Sequence, residues 1–246
     1  MSDKFHAPRT RTSIVANTFN YAVGCGLDAR QIIAKTGLTR ADLTDPKSRL
    51  PEEVVPTIWK LLNKTYPGRA LALHMASAAP FSFFGPLVQG VQYAKNLRAA
   101  LQLLAQYGPV LSDQVHTDLV ESDSEAIYYS DHPVDAIDRG YGAEVALALA
   151  NRLLQASIGE RYSLVRVEFT HRPLGLRQVY EDFFEVPVYF QQGHNALVFR
   201  QEVLVLPTQQ YDAELFHYAQ ENLASLHHGD AWISGLKGLR YRPSST

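Results

Sequence analysis

The sequence contains a single cysteine, Cys25, in 246 residues, so no disulfide bond can form within the chain. A lone cysteine fits a reducing compartment, and we expect Cys25 to be a small buried apolar residue. No apolar run approaches the roughly 20 residues that a membrane-spanning helix needs, and the N-terminus has no signal-peptide core. These absences predict a cytoplasmic protein without a membrane partner.

An excess of positive charge is also lacking, because 23 Lys and Arg stand against 25 Asp and Glu. A domain that holds duplex DNA by itself usually carries a basic surface. Walker-type loops, the dinucleotide fingerprint and the HExxH and GxSxG motifs are absent as well. The sequence therefore predicts no direct DNA binding, no enzymatic activity, no cofactor and no metal ion. An enzyme of unrecognised type stays open as an alternative, because acid–base pairs can assemble from distant residues.

Helical patterns dominate residues 13–108. Asp28 is a good N-cap for a short helix, Gly37 provides the turn after it, and a second short helix ends at Leu43. This order of elements is that of a helix-turn-helix. A recognition helix should carry several base-contacting polar residues, whereas the second segment is short and includes an acidic residue, so two simply packed helices are favoured. Further along, Asn96 is expected to cap a helix that continues to Tyr107.

Alternating apolar residues, typical of half-buried strands, appear in residues 109–226. They predict a hairpin between residues 115 and 130, a strand through Phe169, and a second hairpin in which residues 191–195 join two further strands. Between them, residues 135–156 predict a helix that is apolar nearly all round and therefore buried. The predicted fold class is α+β: a helical N-terminal part followed by a small, mainly antiparallel sheet packed against helices. Residues 1–12 are expected to be a flexible tail and residues 227–246 a linker-like tail.

Aromatic clustering suggests a ligand pocket. The aromatic loop around Gly85 predicts either a core plug between helices or one wall of an apolar pocket. Two arginines near or in the buried helix could meet an acidic effector, or neighbouring groups could satisfy them. The candidate ligand-binding residues are Phe83, Phe84, Tyr93, Tyr107, Tyr128, Arg139 and Arg152.

Three stretches carry residue patterns of a known family. The first has Gly26, Asp28, Gly37, Leu38, Leu43, Asp45, Pro46, Arg49 and Pro51. The second, from Phe84 to Tyr107, has Gly85, Leu87, Leu97, Ala100, Leu101 and Tyr107 and departs from the family pattern at Asn96. The third has Val167, Phe169, His171, Pro173, Phe184, Pro187, Val188, Phe190, Asn195, Leu197, Phe199, Leu204 and Pro207. These stretches resemble the non-cupin, arabinose-binding-like sensor region of AraC/XylS transcription regulators. The resemblance implies an effector-binding and dimerisation domain over residues 13–226 that binds a small molecule. It also implies a homodimer, or a heterodimer with a full-length relative.

Members of this family place two helix-turn-helix units after the sensor region, and the 246 residues show no such segment. We therefore expect a regulator truncated before its DNA-binding domain. The alternatives are a stand-alone small-molecule-binding module and a heterodimerising module.

Overall fold

The computed structural model describes residues 8–45, 48–81, 85–132 and 140–234. Within these ranges the helices are α1 (Thr12–Gly24), α2 (Ala29–Thr36), α3 (Val54–Thr65), α4 (Leu71–Ala78), α5 (Leu87–Tyr93), α6 (Leu97–Tyr107), α7 (Gly140–Ile158), α8 (Arg177–Phe184) and α9 (Ala213–Ser234). The strands are β1 (Arg9–Arg11), β2 (Arg49–Pro51), β3 (His116–Glu121), β4 (Glu125–Asp131), β5 (Arg166–Phe169), β6 (Val188–Phe190) and β7 (Ala196–Arg200).

Two sheets organise the strands. β1 and β2 form a small antiparallel pair, and the other five strands form a sheet in the order β3-β4-β7-β5-β6. All neighbours in the larger sheet are antiparallel except β5 and β6, which are parallel. Helices α1 to α6 precede this sheet, which confirms the predicted α+β class with a mainly antiparallel sheet.

The predicted hairpin between β6 and β7 is wrong, because β5 lies between these two strands. The connecting residues pass over the end of β5, where Asn195 accepts a hydrogen bond from the Thr170 backbone N–H at 3.0 Å. The Asn195 N–H donates in turn to the Asp131 carboxylate at the end of β4, at 2.8 Å. One buried asparagine therefore joins the ends of β4 and β5 at the point where the connection crosses β5.

Both predicted boundaries of the folded region need correction. Residues 9–12 belong to it, because β1 pairs with β2 and Thr12 begins α1. At the other end, α9 continues to Ser234, beyond the predicted limit at residue 226. A three-residue strand that pairs through its backbone needs no apolar pattern of its own, which explains why the sequence of β1 resembled a tail.

Local capping chemistry sets several helix ends as expected. Asp28 accepts from the backbone N–H of residue 30 at 2.9 Å, and Gly37 ends α2 with a φ of 70°. The following segment, Ala41–Leu43, is a single 3₁₀ turn, which supports two packed helices over a helix-turn-helix. Asn96 caps α6 through a 3.0 Å bond.

The core lies between the helices and the larger sheet. α7 runs through it, with Leu147, Leu149, Leu153 and Leu154 fully buried, as the apolar pattern predicted. No helix in the described ranges is both long and apolar enough to cross a lipid bilayer.

Candidate ligand-binding site

A cavity of about 140 Å³ lies where the N-terminal helices meet α7 and the β3–β4 hairpin. A cavity of about 150 Å³ is known to be sufficient for a benzene-sized molecule. Most of its wall is apolar, contributed by Ile14, Val55, Pro56, Trp59, Leu87, Leu104, Leu111, Val115, Tyr128, Ala143, Val145 and Ala146. Trp59 is held in place by stacking on Tyr141, with the ring centroids 4.9 Å apart.

One part of the wall is polar, and it is built from four distant segments of the chain. β1 pairs with β2 on one side, while Thr10 in β1 forms a β-bridge with Ser112 on the other. Glu52 directly follows β2, and its backbone N–H donates to the carbonyl of residue 8 at 3.0 Å. His132 follows β4 and contacts the Glu52 carboxylate. The short N-terminal strand thus brings Glu52 and Ser112 to the same end of the cavity.

Glu52 is a buried carboxylate, only 5% exposed, so it needs hydrogen-bonding partners to remain charged. The Ser112 hydroxyl donates to its Oε1 at 2.7 Å, and His132 Nε2 contacts the same oxygen. In a serine nucleophile the hydroxyl would lie beside an imidazole instead of a carboxylate. The arrangement therefore suits the recognition of a hydrogen-bond donor better than nucleophilic chemistry.

Of the described aromatic residues in the predicted pocket, Tyr128 alone lines this cavity. Burial raises the pKa of its hydroxyl, which therefore stays protonated and can donate a hydrogen bond. Tyr107 is buried on α6 and Tyr93 is half-buried at the end of α5, and neither forms part of the cavity wall. Phe83 and Phe84 lie outside the described residues. A role for these four in ligand binding stays a prediction.

Arg152, the candidate arginine that the structure describes, does not line the cavity. Arg152 donates to the backbone carbonyls of Ala76 and Ala79, the latter at 3.0 Å, and its guanidinium lies 5.2 Å from the centre of the Phe81 ring. These contacts agree with the alternative in which neighbouring groups, instead of an acidic effector, provide the partners of the Arg152 guanidinium. Arg139 lies outside the described residues.

A second buried carboxylate, Glu144, lies on α7 but outside the cavity wall. It is fully buried, and the Tyr180 hydroxyl donates to it at 2.6 Å. Burial raises its pKa to about 8, although the Tyr180 hydrogen bond partly opposes this shift. The Nε2 atom of His171 lies 3.9 Å from the carboxylate, and burial lowers the pKa of this imidazole. Two neutral groups therefore face each other here at neutral pH.

Sequence reasoning did not identify Glu52 as a cavity residue. Glu52 and Glu53 both precede α3, where either carboxylate would suit the positive end of the helix dipole, so the local sequence does not single out Glu52. The structure separates the two, because Glu53 is exposed and Glu52 is buried. Glu52 is buried because β1 pairs with β2 and with residue 112. No local sequence pattern encodes that long-range pairing.

The sequence model described as "Arabinose-binding domain of AraC transcription regulator, N-term" matches residues 26–208. The chain therefore belongs to this family, and it is a ligand-sensing domain of the AraC regulator class. No curated protein matches the sequence.

The transcriptional regulator CdpR from Pseudomonas aeruginosa has a similar fold, with a TM-score of 0.56 and 19% sequence identity. The match covers 77% of this chain and 59% of that one, so the chain spans about three-fifths of the length of that regulator. At this identity the comparison shows a shared fold alone.

Proposed function

We propose that this domain senses a small molecule bound in the cavity next to Trp59 and Glu52. The cavity wall is formed jointly by separate parts of the fold, and this observation carries the proposal. Helices α1 and α3 contribute one side, and α7 with the β3–β4 hairpin contributes the other. A ligand that fills this space would make contacts with both parts at once and would favour the arrangement in which they are closely packed.

The expected mechanism is a population shift. A ligand can change a conformational equilibrium only by its different affinity for the two states. Here the state with β1 and α1 docked completes the cavity, so we expect that state to bind and the undocked state not to bind. This change of conformation would be transmitted to a DNA-binding domain, in the same polypeptide or in a partner chain. We propose no enzymatic activity and no direct DNA binding for the 246 residues themselves.

We propose dimerisation, with a second copy or a full-length relative, through the exposed side of α9. Leu215 and Tyr218 lie one turn apart on this helix and are 43% and 65% exposed, and Tyr211 just before it is 50% exposed. Large apolar side chains that cluster on a surface often mark an interface. Light scattering should show a dimer for the wild type and a monomer for a Leu215→Glu, Tyr218→Ser variant. A monomeric wild type would refute this part of the proposal.

The sensing proposal is tested by screening small metabolites for thermal stabilisation of the wild type and of an Ala146→Leu variant. Leucine at position 146 keeps the helix propensity of α7 and places a larger side chain in the cavity wall. A ligand at 100 times its Kd stabilises the folded state by about 2.7 kcal/mol, and we expect Ala146→Leu to abolish that gain. Ala156→Leu, on an exposed site of the same helix, serves as the control. If every stabilising compound acts equally on all three proteins, the cavity is not the sensing site.

A further inference from the structure

We infer that the effector is a compact, mainly apolar molecule that carries a hydroxyl or carbonyl oxygen, and that the Tyr128 hydroxyl selects it by donating a hydrogen bond to that oxygen. This inference rests on the proposed sensing function and adds a ligand class and a specificity-determining residue to it. Three observations support it: the hydrogen bonds of the hydroxyl groups in the cavity wall, the fixed position of Tyr128, and the size of the apolar space.

Most hydroxyl groups in the cavity wall already donate to acceptors of the protein. Within the part of the chain that the structure describes, the hydroxyls of Tyr128 and Ser130 are different, because neither makes a hydrogen bond. The hydroxyls that do donate to a backbone carbonyl or a carboxylate are those of Thr10, Thr18, Ser112 and Thr117. Two donors on β4 therefore remain available to a ligand.

Tyr128 is held firmly in the sheet. Its strand, β4, pairs with β3 on one side and with β7 on the other, where Tyr128 lies opposite Leu119 and Leu197. The side chain lines the cavity and is only 5% exposed. A hydroxyl removed from water without a hydrogen bond costs free energy, and burial keeps this one protonated because it raises the pKa. An acceptor atom placed in the cavity would offset that cost.

The ligand must therefore present an acceptor to Tyr128. A ligand that displaces water from a buried hydroxyl loses affinity unless it supplies an equivalent hydrogen bond. A hydroxyl or carbonyl oxygen can accept this bond without bringing a charge to a mostly apolar wall. Ser130 lies two residues along β4, on the same face as Tyr128, and can supply a second bond.

The size of the cavity limits the rest of the molecule. About 140 Å³ accommodates a body about the size of one ring. A phenol or a small cyclic ketone is the simplest molecule that combines such a body with one acceptor oxygen.

The test measures, by titration, the affinities of phenol, cyclohexanone and toluene for the wild type and for Tyr128→Phe. The first two probes carry an oxygen and toluene does not, while the variant keeps the aromatic ring and loses only the hydroxyl. We expect phenol and cyclohexanone to bind Tyr128→Phe at least about fivefold more weakly than the wild type, which is the scale of one buried hydrogen bond. Toluene should bind both proteins equally. Comparing one probe on two proteins cancels the different solubilities of the probes.

Tyr162→Phe is the matched control. The Tyr162 hydroxyl donates to Asn151 at 2.7 Å, and this side chain is not among the described residues of the cavity wall. The control should bind each probe as the wild type does but unfold at a lower urea concentration. Tyr128→Phe should unfold at the wild-type concentration or above, because its hydroxyl has no protein partner to lose.

Three results would overturn the inference. If neither phenol nor cyclohexanone distinguishes the wild type from Tyr128→Phe, the hydroxyl does not select the ligand, while binding that is lost in Ala146→Leu would still support the sensing site. If none of the three probes binds the wild type, the ligand class is wrong, and the metabolite screen decides the sensing proposal separately. A loss of stability in Tyr128→Phe as large as that in Tyr162→Phe would show that the hydroxyl is already bonded within the protein.

Discussion

Replacing Glu144 by glutamine should change how the stability of the domain depends on pH. The side chain is fully buried and accepts a hydrogen bond from Tyr180. Glutamine keeps the size of the side chain and an oxygen that can accept that bond, but it cannot ionise. The substitution therefore removes one titrating group from the core with little change in packing.

The magnitude follows from the pKa, which burial raises from 4.5 to about 8. Below pH 4.5 the group is protonated in both the folded and the unfolded chain. Between pH 4.5 and about 8 only the folded chain holds the proton, so the free energy of unfolding falls as pH rises through this window. At about 1.4 kcal/mol per pH unit, the full loss is at most about 5 kcal/mol by pH 8. His171 offers no counter-charge, because burial lowers its own pKa.

Urea denaturation followed by tryptophan fluorescence, at several values between pH 5 and pH 9, would measure this effect. Relative to the wild type, Glu144→Gln should gain several kcal/mol of stability between the acidic and the alkaline end. Glu160→Gln, at an exposed position after α7, should follow the wild type at every pH. Parallel curves for Glu144→Gln and the wild type would refute the assignment of a protonated carboxyl group in the core.

Three further substitutions test the fold, each by urea denaturation. Asn96→Ala removes the cap of α6 and should cost about 1 kcal/mol, whereas Asn96→Asp should retain most of the stability; equal losses would contradict the capping role. Gly175→Ala should destabilise by about 1–3 kcal/mol, because a Cβ there would lie 2.5 Å from a backbone nitrogen of Ala70. Gly193→Ala, which meets nothing within 4 Å, is its control and should be nearly neutral. Asn195→Ala leaves the Thr170 backbone N–H at the end of β5 without its acceptor, removes the side-chain bond to Asp131, and should cost about 1–3 kcal/mol; an unchanged midpoint would show that the crossover does not depend on this side chain.

Local signals in the sequence were sufficient for α2, α6, α7 and the β3–β4 hairpin. Asp28 and Asn96 mark helix starts because their side chains can satisfy backbone N–H groups within three residues. Apolar periodicity similarly indicated that α7 is buried, since a helix that is apolar nearly all round has no face suited to water.

The pairing of strands could not be predicted in the same way. A period of two residues identifies a strand but does not name its neighbour. β6 and β7 are close in sequence, which suggested a hairpin, yet a side chain in the connection binds the end of β5 and the strand order changes. Glu52 presents the same difficulty, because its burial depends on backbone pairing with β1, about 40 residues away, and on a side-chain hydrogen bond with Ser112, 60 residues away.

Because β1 pairs with both β2 and residue 112, the polar end of the cavity can form only after residue 112 has been synthesised. The bridge from Thr10 to Ser112 closes a long loop, and long-range contacts of this kind are slow to form. His132, which completes the polar wall, leaves the ribosome later still. We therefore expect the nascent chain to pack its first six helices before it can recognise any effector, so that competence to respond arises only once the hairpin has been made.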